Sequence, residues 1–165
     1  MLFLSLLVSG IGMAGYLLSY DATVLPQMAS LCVLGVGIGA TMTAASSTIM
    51  QSATPERAGM AASIEEVSYE LGGALGVTLM GSILSGVYAR SLAVPDGLSG
   101  SAAARDSLDQ ALLIANDVPA DLGAALARLA RTAFDAGYAA VLATATALLL
   151  ATAAFVLFNR WRMRT

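Results

Sequence analysis

The chain has 165 residues, of which 58% are hydrophobic and only 12% are charged, and its mean hydropathy is +0.78. This composition is more apolar than that of soluble domains and predicts a protein of the lipid bilayer. The net charge is −3 and there is no basic patch, which argues against a nucleic acid partner. The chain has no histidine and a single cysteine, Cys32, which excludes a zinc cluster and a disulfide framework. No metal or cofactor is therefore expected.

Residues 1–20 are apolar and uncharged, so they form either a signal peptide or a first transmembrane helix. No Lys or Arg precedes the apolar stretch and no clear cleavage site precedes Asp21, which favours the transmembrane helix. Residues 26–50 carry no charge, are long enough to cross a bilayer and begin with a proline, which helix starts tolerate. Gly35 and Gly39 in this second helix have the small-xxx-small spacing that lets membrane helices pack closely.

The remaining segments predict two further spans. A polar turn, 51–59, is followed by a third transmembrane helix, 60–88, whose start is acidic. A long connection, 89–133, then leads to a fourth transmembrane helix, 134–158, and to a basic tail, 159–165. The sequence therefore predicts an all-α membrane protein with four transmembrane helices.

The arginines predict the orientation of the chain. Arg57 lies in the turn between the second and third helices, and Arg160, Arg162 and Arg164 follow the fourth. All four lie on one side if the helices cross in turn, and the positive-inside rule makes that side cytoplasmic. The arginines of the connection fall on the other side, where aspartates dilute them. Trp161 suits an anchor at the inner interface.

The connection 89–133 has two interpretations. Its length is uncommon for a loop without a role, and Leu108, Leu112 and Leu113 indicate a short amphipathic helix. It is either a solvated extracellular loop that is partly helical or a lid over the outer mouth of a pathway. A helical period resumes in its last third, at Leu122, Leu126 and Leu129, and this pattern allows one helix that runs directly into the fourth span.

Three glutamates, Glu65, Glu66 and Glu70, are the candidate functional residues. If the third helix enters the bilayer near residue 71, the three glutamates lie on a cytoplasmic extension. Their only role there is a favourable interaction with the positive end of the helix dipole. If it enters near residue 60, Glu70 is about 15 Å deep, and a charged carboxylate there costs roughly 2.5–3.5 kcal/mol. The carboxylates then need protons or cationic partners, which indicates a substrate or proton site.

Helical periodicity divides the three glutamates. Glu66 and Glu70 share a face, whereas Glu65 is turned about 100° away, toward Gly72 and Gly76. Two carboxylates in one low-dielectric pocket cannot both ionise easily, so Glu66 and Glu70 are the better pair for exchanging a proton against a cation. The edge of Gly72 and Gly76 suits close helix packing, and Gly73 continues the face of the pair.

Four stretches of the chain resemble the last helices of fourteen-helix drug:proton antiporters of the major facilitator superfamily, of the type that exports quaternary ammonium compounds. They are Gly-x-Gly-x-Gly from Gly35, Thr-Pro-Glu-Arg-Ala-Gly-Met-Ala from Thr54, and Glu-Leu-Gly-Gly-Ala-Leu-Gly-Val from Glu70, followed by Gly-Ser-Ile-Leu from Gly81.

The resemblance implies that the spans are helices eleven to fourteen of such a transporter in the inner (cytoplasmic) membrane. It implies that Glu65, Glu66 and Glu70 serve substrate recognition or proton coupling, and that the partners are the bilayer, protons and lipophilic cationic drugs. The amino-terminal helices of the family, with their antiporter motif, are not among these residues. The chain is therefore expected to be inactive alone, as a carboxy-terminal fragment that needs the remainder.

Two other classes of function differ in how well the residues support them. A stand-alone four-helix protein, acting as a homo-oligomeric small exporter or accessory subunit, would self-associate through its glycine faces. An intramembrane enzyme is disfavoured, because the chain has no histidine and no Gly-x-Ser-x-Gly motif to supply a base or a nucleophile.

Overall fold

The computed structural model of the chain describes residues 1–94 and 101–162. Residues 95–100 of the predicted connection and residues 163–165 of the basic tail lie outside the described residues. The described helices are α1 (Leu2–Ser19), α2 (Val24–Ser52), α3 (Ala58–Ser91), α4 (Ser101–Ala104), α5 (Leu108–Asn116) and α6 (Ala120–Arg162), with a 3-10 turn at Pro55–Arg57.

The prediction of an all-α membrane protein is confirmed. Four segments are long and apolar enough to cross a bilayer, namely Leu2–Ser19, Val24–Ser52, Pro55–Ser91 and Ala120–Asn159. No strand occurs in residues 1–94 and 101–162. The last of these helices starts inside the segment expected to be a connection, because the apolar period that resumes there continues without a break into the fourth span.

Local interactions fix the two short turns of the amino-terminal half. The Gln27 side chain donates hydrogen bonds to the carbonyl oxygens of Tyr20 and Ala22, at 2.9 and 3.1 Å, and so satisfies acceptors left open after α1. Thr54 precedes a proline and is extended, as such residues usually are, which ends α2 before the 3-10 turn begins.

The first of two compact units comprises Met1–Ala74 and the chain from Leu142 onward. Here α1 and α2 pack closely through glycines. A methyl group added at Gly37 would lie 2.7 Å from Ser9 Cα, and one added at Gly12 would lie 2.7 Å from Leu34 Cα. Gly10 likewise faces the Leu150 side chain of α6. Small side chains on α1 and α2 therefore determine how near the two backbones come.

The second unit, Leu75–Val141, has a core of its own. Its buried residues come from the end of α3, from the connector (residues 92–119, of which 92–94 and 101–119 are described) and from the start of α6. They are Tyr88, Leu92, Ala104, Ala111, Leu126, Ala130 and Ala133.

Polar contacts tie the connector to α3. The Tyr88 hydroxyl lies 2.9 Å from the Ala104 carbonyl oxygen and 3.1 Å from that of Ser107. Arg105 Nη1 donates to the Ala89 carbonyl oxygen at 2.8 Å. The Ser107 hydroxyl accepts from the Gln110 amide and so caps the start of α5. The connector is thus a folded part of this unit.

Candidate functional site

The three glutamates of α3 lie in two different environments. Glu65 is half-buried, whereas Glu66 and Glu70 are exposed. The helix has 34 residues, or about 51 Å at 1.5 Å per residue, which exceeds the roughly 30 Å of a bilayer core. Its first turns contain small and polar residues. The three carboxylates therefore lie on a part of a continuous helix that is long enough to extend beyond the bilayer.

Glu65 lines a cavity between α2 and α3, of about 410 Å³. Tyr69, one turn further along α3, lines the same cavity as Glu65. The α2 side of the cavity carries three hydroxyl groups next to Met42, and they belong to Thr43, Ser46 and Ser47. The cavity therefore combines one carboxylate with a phenol and three hydroxyls, and its side chains carry one formal negative charge.

A second groove, of about 670 Å³, lies between α1 and α2. Leu4 and Val8 of α1 and Val36 and Ala40 of α2 make its wall largely apolar. Hydroxyls and an amide line it toward the end of α2, and they belong to Thr43, Ser47, Thr48 and Gln51. This lining suits a ligand that is mostly apolar with one polar end.

The glycines predicted to pack helices occupy open surface in this chain. A methyl group added at any of the five would meet no atom of another described helix within 4 Å; they are Gly35, Gly39, Gly72, Gly73 and Gly76. The close approach in α2 is made instead by Gly37, which lies between the first two. Helix packing through these five glycines stays a prediction. Any such packing would be against helices other than those described.

Sequence reasoning singled out the glutamates but missed the hydroxyl groups opposite Glu65. Thr43 and Ser47 are one turn apart on an otherwise apolar helix, and that spacing was the available signal. Which helix the hydroxyls face depends on packing, which periodicity does not supply. Within residues 1–94 and 101–162, no group of three or more His, Cys, Asp or Glu side chains could hold a metal ion.

Two curated proteins are similar to most of this chain. The multidrug efflux pump LfrA of Mycolicibacterium smegmatis is 36% identical over 142 residues, which is 85% of this chain and 28% of LfrA. The methyl viologen resistance protein SmvA of Salmonella typhimurium is 34% identical over 131 residues, which is 78% of this chain and 26% of SmvA. The chain therefore spans little more than a quarter of the length of these relatives.

No known protein-family profile matches the chain, and no solved structure matches it. The four long apolar helices indicate a membrane protein, and the two relatives are named for drug efflux and for methyl viologen resistance.

Proposed function

We propose that this chain is the carboxy-terminal part of a proton-coupled multidrug exporter of the major facilitator superfamily, which carries lipophilic cations outward across the inner membrane. The observation that carries the proposal is the similarity of most of the chain to LfrA and SmvA, one an efflux pump and the other a resistance protein. Such an exporter moves its substrate without changing it chemically, so no catalytic residue is assigned.

The carboxylates of α3 supply the chemistry that cation export needs. Glu66 and Glu70 are four residues apart, so they lie on the same face of the helix, and both are exposed. Two carboxylates on one helix face can hold a proton or, in its place, a cation. An arriving cation replaces that proton, and the proton's return releases the cation. Glu65 adds a third negative group, about 100° around the helix from Glu66.

The remainder of the transporter supplies the opposite wall. Transport sites of this kind form between two bundles that rock about the substrate near the middle of the membrane. The chain spans 28% of LfrA and 26% of SmvA, so most of such an assembly has no counterpart in it. We therefore propose that these helices work together with further helices and do not export alone.

The arginines give the proposed orientation. Arg57 in the turn before α3 and Arg162 at the end of α6 are placed on the cytoplasmic side, which leaves the connector outside. This arrangement brings the carboxy terminus into the cytoplasm.

Replacing Glu66 and Glu70 together by Gln in the full transporter tests the proposed proton and cation site. The double variant should lose most proton-driven efflux of divalent organic cations, because neither carboxamide can take up or release a proton. Efflux is followed in inside-out vesicles after a pH gradient is imposed, with Asp109→Asn in the connector as the matched control. Unchanged efflux in the double variant at equal expression would refute the assignment.

A second function, a homo-oligomeric small exporter, is favoured by one observation. The space beside each of the five glycines is open, which leaves two helix surfaces on which another copy could pack closely. Crosslinking the chain in membranes distinguishes the two functions. A defined oligomer that confers drug resistance would support self-association, whereas a monomer without resistance would support the larger exporter.

A further inference from the structure

A cavity at the turn between α2 and α3 combines one basic side chain with an apolar wall. Its volume is about 470 Å³. Ile49 of α2 and Met60 and Ile64 of α3 form the apolar wall, and Arg57 supplies the formal charge. Met60 and Ile64 are each 57% exposed, so the described chain leaves this wall open for a further apolar group.

The length of α2 places this cavity at the surface of the membrane. The helix has 29 residues, or about 43 Å at 1.5 Å per residue, which matches the roughly 40–45 Å of a bilayer with its headgroups. The turn that follows Ser52 therefore lies at the level of the headgroups. In the orientation proposed above, these headgroups belong to the cytoplasmic leaflet.

The side-chain charge of this cavity is positive. Among the residues that line it in the described chain, Arg57 alone is formally charged. Glu65 and the amino terminus at Met1 line two other cavities, and Glu56 lines none of the three. A phosphate group at the membrane surface therefore finds a cationic partner here and no carboxylate in the lining.

Arg57 is also the strongest hydrogen-bond donor of the lining. The hydroxyl protons of Thr48 and Ser52 go to the carbonyl oxygens of Ala44 and Thr48, at 2.7 and 2.8 Å. A guanidinium has five N–H donors in a planar fork, which matches two oxygens of one phosphate. The apolar wall beside it contributes nothing to a free anion, but it suits an acyl chain attached to the phosphate.

We infer that this cavity binds an anionic phospholipid, with the headgroup phosphate on Arg57 and an acyl chain against Met60 and Ile64. Phosphatidylglycerol has this chemistry, since its headgroup carries a phosphate and no cationic group. Phosphatidylcholine brings a trimethylammonium group close to Arg57 and should bind more weakly. The inference goes beyond the proposed function, because it does not depend on what the exporter carries.

Native mass spectrometry of the 165-residue chain in detergent, titrated with phosphatidylglycerol, tests the inference. Arg57→Gln should weaken binding about fivefold, because the cationic partner of the phosphate is lost. Arg90→Gln, which removes the same charge at the other end of α3, is the matched control and should leave the affinity unchanged. Ala61→Trp should also weaken binding by filling the cavity, whereas Ala62→Trp, at an exposed position outside the lining, should not.

The headgroup is tested on the unaltered chain. Phosphatidylcholine with the same acyl chains should bind more weakly than phosphatidylglycerol, and glycerol phosphate should not displace the lipid. Glu56→Gln should leave the affinity for phosphatidylglycerol unchanged, since Glu56 does not line the cavity.

Four results would overturn the inference. Equal losses in Arg57→Gln and Arg90→Gln would reduce it to a general attraction between lipid and positive charge. Equal affinities for the two phospholipids would show an apolar site that ignores charge. Displacement by glycerol phosphate would assign the cavity to a soluble anion, and weaker binding by Glu56→Gln would assign it to a zwitterionic headgroup. Because lipid binding is measured without transport, these results are independent of the efflux test above.

Discussion

At the scale of single residues, two glycines of α2 that are only two positions apart have opposite surroundings. A methyl group at Gly37 would meet the backbone of Ser9 on α1, whereas one at Gly35 would meet no atom of another described helix within 4 Å. Backbone atoms cannot turn aside as a flexible side chain does. Gly37 therefore sets the approach of α1 to α2, and Gly35 does not.

Replacing each glycine by alanine should consequently shift stability in opposite directions. Gly37→Ala should destabilise the chain by about 1–3 kcal/mol, as overpacking does. Gly35→Ala should stabilise it by about 0.5–1 kcal/mol, because alanine loses less entropy in a helix. Thermal unfolding of both variants in the same detergent measures the difference. Shifts of the same sign and size would contradict the packing described for α1 and α2.

The glutamates show how far sequence reasoning reaches at this scale. Helical periodicity separates Glu65 from Glu66 and Glu70, because adjacent residues differ by about 100° around a helix. It does not say which of the two faces meets α2, since that depends on how α2 and α3 pack. The structure places Glu65 in the same cavity as Thr43 and Ser47, and this arrangement across two helices was beyond the reach of a one-dimensional pattern.

At the scale of elements, the connector is held by a small core rather than by loop contacts. Leu126 of α6 is 0% exposed in this core, whereas Leu113 of α5 is 58% exposed. Tyr88 joins the core at the end of α3 and donates its hydroxyl proton to the chain before α5. The second unit therefore owes its order to apolar burial, and each buried leucine contributes to it.

Leu126→Ala should loosen the connector, while Leu113→Ala should not. Truncating a fully buried leucine costs about 2–5 kcal/mol, and truncating an exposed one costs little. Hydrogen exchange of the α5 amides measures the effect locally, since local opening sets their rates. Exchange in α5 should accelerate strongly in Leu126→Ala only. Equal exchange in both variants would mean that the core of the second unit does not hold α5.

The apolar runs made the four long helices predictable, because a span requires a continuous apolar stretch and its length is visible in sequence. The fold of the connector was less accessible. Leu122, Leu126 and Leu129 show a helical period, but the burial of Leu126 depends on Tyr88, which is 38 positions away. Contacts of such separation follow from packing rather than from local pattern.

At the scale of the whole molecule, the proposal joins two observations. Most of the chain is similar to a multidrug efflux pump and to a methyl viologen resistance protein, and it covers little more than a quarter of each. One unit carries an acidic cavity beside an apolar groove. Under the proposal this chain supplies one wall of a binding site, and directional transport needs a second wall that moves.

The most direct measurement compares ethidium efflux from cells without exporters of their own. One set expresses the 165-residue chain alone, a second expresses a full-length exporter that contains it, and a third carries the empty vector. We predict that the full-length exporter clears ethidium at a rate that collapses when the proton gradient is dissipated. The chain alone, present in the membrane at the same level, should match the empty vector. Gradient-dependent efflux by the chain alone would contradict the account.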